Sequence, residues 1–204
     1  MRKLLLLLIF IPFMLNAQDS TIVRESGSPK SKHYFNVSYY GNNLWNPGLK
    51  FGAGILLHQK GKDVMKHTKK KGDVLKHKEH QFFLTGDIGF YWEPKHFTAL
   101  FSYFGVSYRK TNTKGFNYNF GLSPLSVYRS FLVQTYEVDD AGNVSEVSFP
   151  GRFYYAPTLI AGIGKKKEGK FFTGWFLNAN FMTLVKYNAN MLPLLHIEFG
   201  FRFN

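Results

Sequence analysis

His196 and Glu198 stand two residues apart near the end of the chain, and Arg202 follows four positions later. An imidazole beside a carboxylate can move protons, and with a serine hydroxyl in reach it can activate a nucleophile. Ser38, Ser123 and Ser126 are the serines worth naming for that role, yet nothing in the sequence sets one of them beside His196. Lys50 and Asp87 join the first three residues on the small, polar side of alternating stretches, together with Asn117, Asn119, Asn178 and Asn180. Opposite charges withdrawn from water must pair, because an unpaired buried charge is costly. The plainer chemistry is a network of ion pairs and amide hydrogen bonds, in which Arg202 is expected to find Glu198 or Asp87. No residue is assigned a catalytic role.

Charge concentrates a second time between Gln59 and Glu79, where eight lysines face three acids, with His58, His67, His77 and His80 in or beside the run. Asp63-Val64-Met65-Lys66-His67 returns ten residues later as Asp73-Val74-Leu75-Lys76-His77. The segment reads as a solvated basic loop inserted into the fold, not as a domain. Basic runs attract acidic partners through their summed field, and Lys69, Lys70 and Lys71 are its contact candidates. The histidine spacing matches no metal-ligand pattern. With no cysteine in the chain, disulfides, thiolate metal sites and cysteine nucleophiles are excluded. No metal or cofactor is expected.

The elements that hold these residues alternate with period two. Leu195, Ile197, Phe199, Phe201 and Phe203 fall on one face of a strand, and His196, Glu198, Gly200, Arg202 and Asn204 on the other. Leu49, Phe51, Ala53, Ile55 and Leu57 repeat the pattern against Lys50, Gly52 and Gly54, and Phe82, Leu84, Ile88 and Phe90 repeat it against Thr85, Asp87 and Gly89. Turn residues divide the chain into eight predicted strands, at 32–41, 48–58, 80–92, 96–110, 115–137, 145–164, 170–186 and 191–203. Pro124 marks a bulge in the fifth or an edge of its lipid-facing zone. The 204 residues carry a net charge of +13, yet 18% are aromatic and only 19% charged, too aromatic for a disordered basic chain.

At the start, Arg2 and Lys3 precede an apolar run from Leu4 to Leu15, closed by Asn16 and Ala17. This is the pattern of a secretory signal peptide, residues 1–17. The run is too short to span a bilayer as a helix, which needs about 20 apolar residues, and no cysteine stands ready for lipid anchoring. Residues 18–31 read as a flexible leader, and 32–204 as the folded unit, with 59–79 as its basic loop. A secreted β-sandwich also alternates, but its outer face should carry many Lys, Glu and Thr. Here the second face is Gly, Asn, Ser and a few separated charges, as suits a narrow lumen. Strands span a bilayer only when closed into a barrel, apolar outside and polar inside with aromatic girdles. Trp92, Tyr91, Tyr103, Tyr108, Tyr128, Tyr154, Tyr155 and Trp175 are the girdle candidates.

The last ten residues, Leu195 to Asn204, resemble the C-terminal strand of Gram-negative outer-membrane β-barrel proteins, with Asn204 added after the final aromatic. In that family such a strand is the recognition signal for barrel insertion, which implies this role for Phe199, Phe201 and Phe203. The resemblance implies an all-β, antiparallel transmembrane up-and-down β-barrel of eight strands in the cell outer membrane. It implies contact with outer-membrane lipids including lipopolysaccharide, with the insertion machinery and with another envelope protein, and no nucleic acid. The function expected is non-enzymatic, envelope-structural or accessory to a larger assembly; the alternative is a lipid-A-modifying or lipid-hydrolysing enzyme. With both ends of the barrel periplasmic, the loop 59–79 falls on the periplasmic side or a strand before it has been miscounted. The turn Asp139 to Asn143 then faces outward as a recognition tip.

Overall fold

The computed structural model describes residues 32–204 except 43–45, 69–71, 94–95, 133–134, 149, 168, 170 and 189. The expected signal peptide and leader, and Lys69, Lys70 and Lys71, lie outside the described residues. Twelve strands are described: β1 (His33–Asn42), β2 (Gly48–Thr68), β3 (Gly72–Glu93), β4 (Phe97–Asn112), β5 (Phe116–Ser123), β6 (Val127–Leu132), β7 (Tyr136–Val138), β8 (Val144–Glu146), β9 (Gly151–Tyr155), β10 (Thr158–Lys166), β11 (Phe172–Tyr187) and β12 (Asn190–Phe203). All pair antiparallel. β5 and β6 both lie along β4, and β9 and β10 both lie along β11, so each pair is one wall strand in two pieces. The wall is therefore a ring of eight. β12 closes it on β1, from Phe35 opposite Phe203 to Asn42 opposite His196.

Proline causes the two interruptions. Pro124 has no N–H to give the ladder, and the strand breaks there, while Leu125 keeps both backbone bonds to Phe104 at 3.2 and 3.3 Å. Pro157 breaks the neighbouring wall strand at the same level, where Ala156 N donates to Ser126 O at 2.9 Å. The ring stays hydrogen-bonded across both breaks.

Alternation decides which side each residue takes. Phe35 and Val37 on β1, Phe51 and Ile55 on β2, Phe104 and Val106 on β4, and Phe199 and Phe201 on β12 are all exposed, with counterparts on the remaining wall strands. An apolar surface running around the whole molecule far exceeds the few hundred Å² that a soluble monomer shows. From Leu49 to Leu57 the apolar face of β2 runs about 26 Å along the strand. At the usual barrel tilt of about 40° that is a band roughly 20 Å tall, close to the height of a transmembrane barrel's lipid-facing belt. Inside, small residues make room: a Cβ on Gly52 would meet Asp87 Oδ1 at 1.9 Å, and one on Gly200 would meet Phe176 Cζ at 2.7 Å.

Three expectations change. Residues 59–79, expected as a loop, are a continuation of β2 and β3, paired from Gln59 opposite Gln81 to Thr68 opposite Gly72. The ten-residue repeat explains this pairing. Its two copies lie against each other in antiparallel register, Asp63 opposite His77 and His67 opposite Asp73, and Asp63 Oδ1 is 2.7 Å from His77 Nδ1. β4 pairs with the ribbon only as far as Lys78 opposite Asn112, and Thr113 Oγ1 donates to His77 O at 2.9 Å just beyond, so the outer pairs past His77 extend as two strands. The strand count before it holds, which leaves this hairpin at the end of the barrel that carries His33 and Asn204. Next, the fifth and sixth predicted strands overran. The wall stops at Leu132 and resumes at Gly151, and between them β7 and β8 form a separate small hairpin. Finally, Tyr91, Tyr103 and Tyr128 are not girdle residues. They are 0%, 2% and 2% exposed inside the lumen, whereas Trp92 and Tyr155 do face outward.

Candidate functional site

Three layers fill the lumen, and strand register builds each of them. In the middle, Lys50 Nζ lies 2.8 Å from Glu198 Oε1 and 3.6 Å from Asp87 Oδ1. Ser38 donates to the same Glu198 oxygen at 2.8 Å, while Asn178 and Asn180 donate to the other at 3.0 and 3.2 Å. Asn36 Nδ2 reaches Asp87 at 3.4 Å. These groups come from β1, β2, β3, β11 and β12, and ladder pairs bring them level: Ser38 with Lys50, Gly52 with Asp87, and Asn178 with Glu198. One lysine thus serves two carboxylates, all three side chains being less than a tenth exposed. Buried charge of this kind persists when it is paired and hydrogen-bonded.

Toward the end away from His33 and Asn204, rings close the lumen. Tyr40, Tyr91, Phe101, Tyr103, Tyr128, Met182 and Leu184 pack into one buried cluster. The Tyr40 and Tyr103 hydroxyls bond to each other, and those of Tyr91 and Tyr128 are 2.8 Å apart. His196 stacks on Tyr40 with centroids 4.8 Å apart and lies 5.3 Å from Tyr91. Among the described residues, neither of its ring nitrogens has a hydrogen-bond partner. Lys50 Nζ lies 5.4 Å from the Tyr103 ring and so links the plug to the charged layer.

At the other end the lumen opens into a cup of about 310 Å³. Arg109 lies over the rings of Tyr34 and Phe83, at 4.9 and 4.5 Å, and Arg202 over Phe176 at 4.6 Å. Glu79 at the rim accepts from Gln59 at 2.7 Å, Gln81 at 3.2 Å and Lys166 at 3.2 Å.

The lumen brings Lys50, Asp87 and Glu198 into one network, but Arg202 is not part of it. Its expected acidic partner is replaced by the amide oxygen of Asn117, at 3.4 Å. Lys50 stands one register step from Arg202 toward Glu198 and holds both acids, at 2.8 and 3.6 Å. His196 and Glu198 share a face yet fall in different layers, imidazole in the plug and carboxylate in the network. Ser38 binds Glu198, and Ser126 donates to the backbone of Ser123 at 2.8 Å; no serine bonds to His196. Phe199 and Phe201 point outward, 44% and 42% exposed, and Phe203 packs on Phe171 at the barrel rim. Arg109 and the four lumenal tyrosines are absent from the sequence-derived site. Their signal was parity: Tyr91 lies two residues beyond Gly89 and four beyond Asp87, on the inward side.

The tip between β7 and β8 is ordered by its own side chain. Asp139 Oδ1 accepts from the backbone of Ala141 and Asn143 at 2.9 and 2.8 Å, and Oδ2 accepts from the Asn143 amide at 2.9 Å. Gly142 takes φ +84°, where a side chain would be strained. The Asn143 bonds foremost hold the Asp139 carboxyl below the ordinary carboxylate range.

No protein-family model matches the chain, and no curated protein matches it. Among solved structures it is similar to two crystal structures of Ail, the attachment invasion locus protein of Yersinia pestis. One, a complex with the heparin analogue sucrose octasulfate, is 8% identical with a TM-score of 0.21; the other is 9% identical with a TM-score of 0.23. Each likeness covers 84% of this chain and 95% of the other.

Proposed function

We propose that the chain is a non-enzymatic β-barrel of the cell outer membrane, with an envelope-structural or accessory-subunit role. The observation that carries this reading is a filled lumen inside an outward-facing apolar wall. The belt requires lipid, since water around it would leave large apolar side chains hydrated on every wall strand. Eight strands leave an interior that side chains can just fill, and here the charged layer and the tyrosine plug fill it. Beneath the cup, a cavity of about 30 Å³ lies among Lys50, Asp87, Arg109, Glu198 and Arg202. Such a barrel neither conducts nor presents an assembled acid–base–nucleophile set. Its partners are outer-membrane lipids including lipopolysaccharide around the belt and the insertion machinery that reads its last strand. The basic hairpin, on the side of His33 and Asn204, suits an acidic surface of another envelope protein.

Two measurements test the proposal. Mass spectrometry of lipid A from cells with and without the protein should show identical acylation, and the purified protein in planar bilayers should give no unitary conductance. A changed acylation pattern would replace this reading with the enzymatic one, and steady channel openings would replace it with a pore.

A further inference from the structure

We propose that the cup at the His33–Asn204 end of the lumen binds a phosphate-class oxyanion between Arg109 and Arg202. This goes beyond the structural role above and does not depend on it. Both arginines line the cup, and they are 9% and 6% exposed. Neither lies within ion-pair distance of a carboxylate among the described residues. Among the described residues, Arg109 Nε has no hydrogen-bond partner, although Tyr34 bonds the guanidinium, and Arg202 makes one long bond, to the neutral Asn117 amide. The Arg109 charge repels Arg202, and Tyr34 and Glu198 offset part of that repulsion. Among the described residues, Glu79 attracts Arg109 and Glu198 attracts Arg202 only from beyond ion-pair distance, since Glu198 is bonded to Lys50, Ser38, Asn178 and Asn180, and Glu79 to Lys166, Gln59 and Gln81.

Two like charges held at the edge of a low-dielectric lumen are relieved by one anion placed between them. The guanidinium fork matches the oxygens of a phosphate, and ring faces fix each fork in position. Tyr34, Phe83 and Phe176 do this by covering the guanidinium faces, and although Tyr34 also bonds Arg109 and Asn117 bonds Arg202, the other edge N–H groups, Arg109 Nε among them, remain for a ligand. Lys167 adds positive charge at the rim, where Lys166 is paired with Glu79, and Gln81, Thr111 and Asn117 add neutral polar groups. The cup is larger than one phosphate group needs, so the anion can be carried on a small polar molecule or a lipid headgroup.

The test uses the wild-type protein in nanodiscs of zwitterionic lipid, with arginine side chains labelled with nitrogen-15. Inorganic phosphate is titrated against chloride at constant ionic strength. The Nε resonances of Arg109 and Arg202 should shift saturably while those of Arg129 and Arg152 stay still. Arg109→Gln and Arg202→Gln should each weaken binding by about tenfold, whereas Lys76→Gln, on the exposed hairpin, should leave it unchanged. Displacement of phosphate by soluble glycerol phosphate assigns a small phosphoester; displacement by phosphatidylglycerol in the disc assigns a headgroup. No saturable shift, equal shifts of all four arginines, or an equal loss in Lys76→Gln would overturn the proposal. The wild-type resonances decide the matter even if a glutamine variant fails to fold.

Discussion

Replacing Lys50 with methionine removes the one cation that two buried carboxylates share. At an effective dielectric of about 20, unit charges at 2.8 and 3.6 Å attract by roughly 6 and 5 kcal/mol. Desolvation offsets most of that gain, and breaking a buried pair by deleting one member typically costs about 3–5 kcal/mol. Lys50→Met belongs at the top of this range, because Glu198 and Asp87 are both left without it and repel each other. Against a typical total stability of about 5–15 kcal/mol, such a loss is severe. Asp87→Asn keeps the shorter Lys50–Glu198 contact and should cost about 1 kcal/mol. The triple variant Lys50→Met, Asp87→Asn, Glu198→Gln removes every charge of the layer. It should return to within about 2 kcal/mol of the wild type, as neutral replacements of buried ion pairs generally do. The assay is urea unfolding of the protein folded into phospholipid vesicles, followed by tryptophan fluorescence and by the gel shift of the folded form. A Lys50→Met protein as stable as the wild type, or a triple variant no better than the single one, would refute the reasoning.

Phe199→Arg puts a charge on the lipid face of β12 and should cost about 2–4 kcal/mol near the midplane, read as slower and less complete folding into vesicles. Tyr91→Phe leaves the Tyr128 hydroxyl buried without its 2.8 Å partner and should lower stability by about 1–3 kcal/mol in the same urea assay. The tip between β7 and β8 should respond to acid. Because the Asp139 carboxyl is held low, its contribution is complete above the ordinary aspartate range and is lost as pH falls through the lowered value. Amide resonances of Ala141 and Asn143 should move in that acid window, and Asp139→Asn should abolish the movement.

Much of the wall was legible because a lipid-facing belt and a narrow lumen impose opposite demands on neighbouring residues. The parity of Phe199 and Glu198, or of Phe51 and Lys50, reports this directly. Parity also placed Lys50, Asp87 and Glu198 on the lumen side, but it carries no depth. Whether Arg202 reaches Glu198 depends on strand tilt and on which cation lies nearer, and Lys50 lies nearer. Where both faces carry rings, as in β4, parity loses its contrast. Phe101 and Tyr103 then read like Phe104, although they point the other way. The basic hairpin was misread for a related reason: its lysines suit a solvated loop in composition, while the ordering information lay in the repeat that lets two copies pair. An irregularity at Pro124 was legible in one wall strand, though not as a break, and the break beside it at Pro157 was not legible, because only the pairing of Ser126 with Ala156 aligns them.

The central claim is that even and odd residues of the wall meet different surroundings, lipid outside and packed lumen inside. The chain has no cysteine, so a single one introduced at each position from Leu195 to Phe203 gives a clean spin-label scan in lipid vesicles. Labels at 195, 197, 199 and 201 should collide readily with oxygen dissolved in the bilayer and poorly with a water-soluble nickel chelate. Labels at 196, 198 and 200 should be immobile and shielded from both. Accessibility without period two, or odd positions shielded from oxygen as in the core of a water-soluble sandwich, would contradict the account.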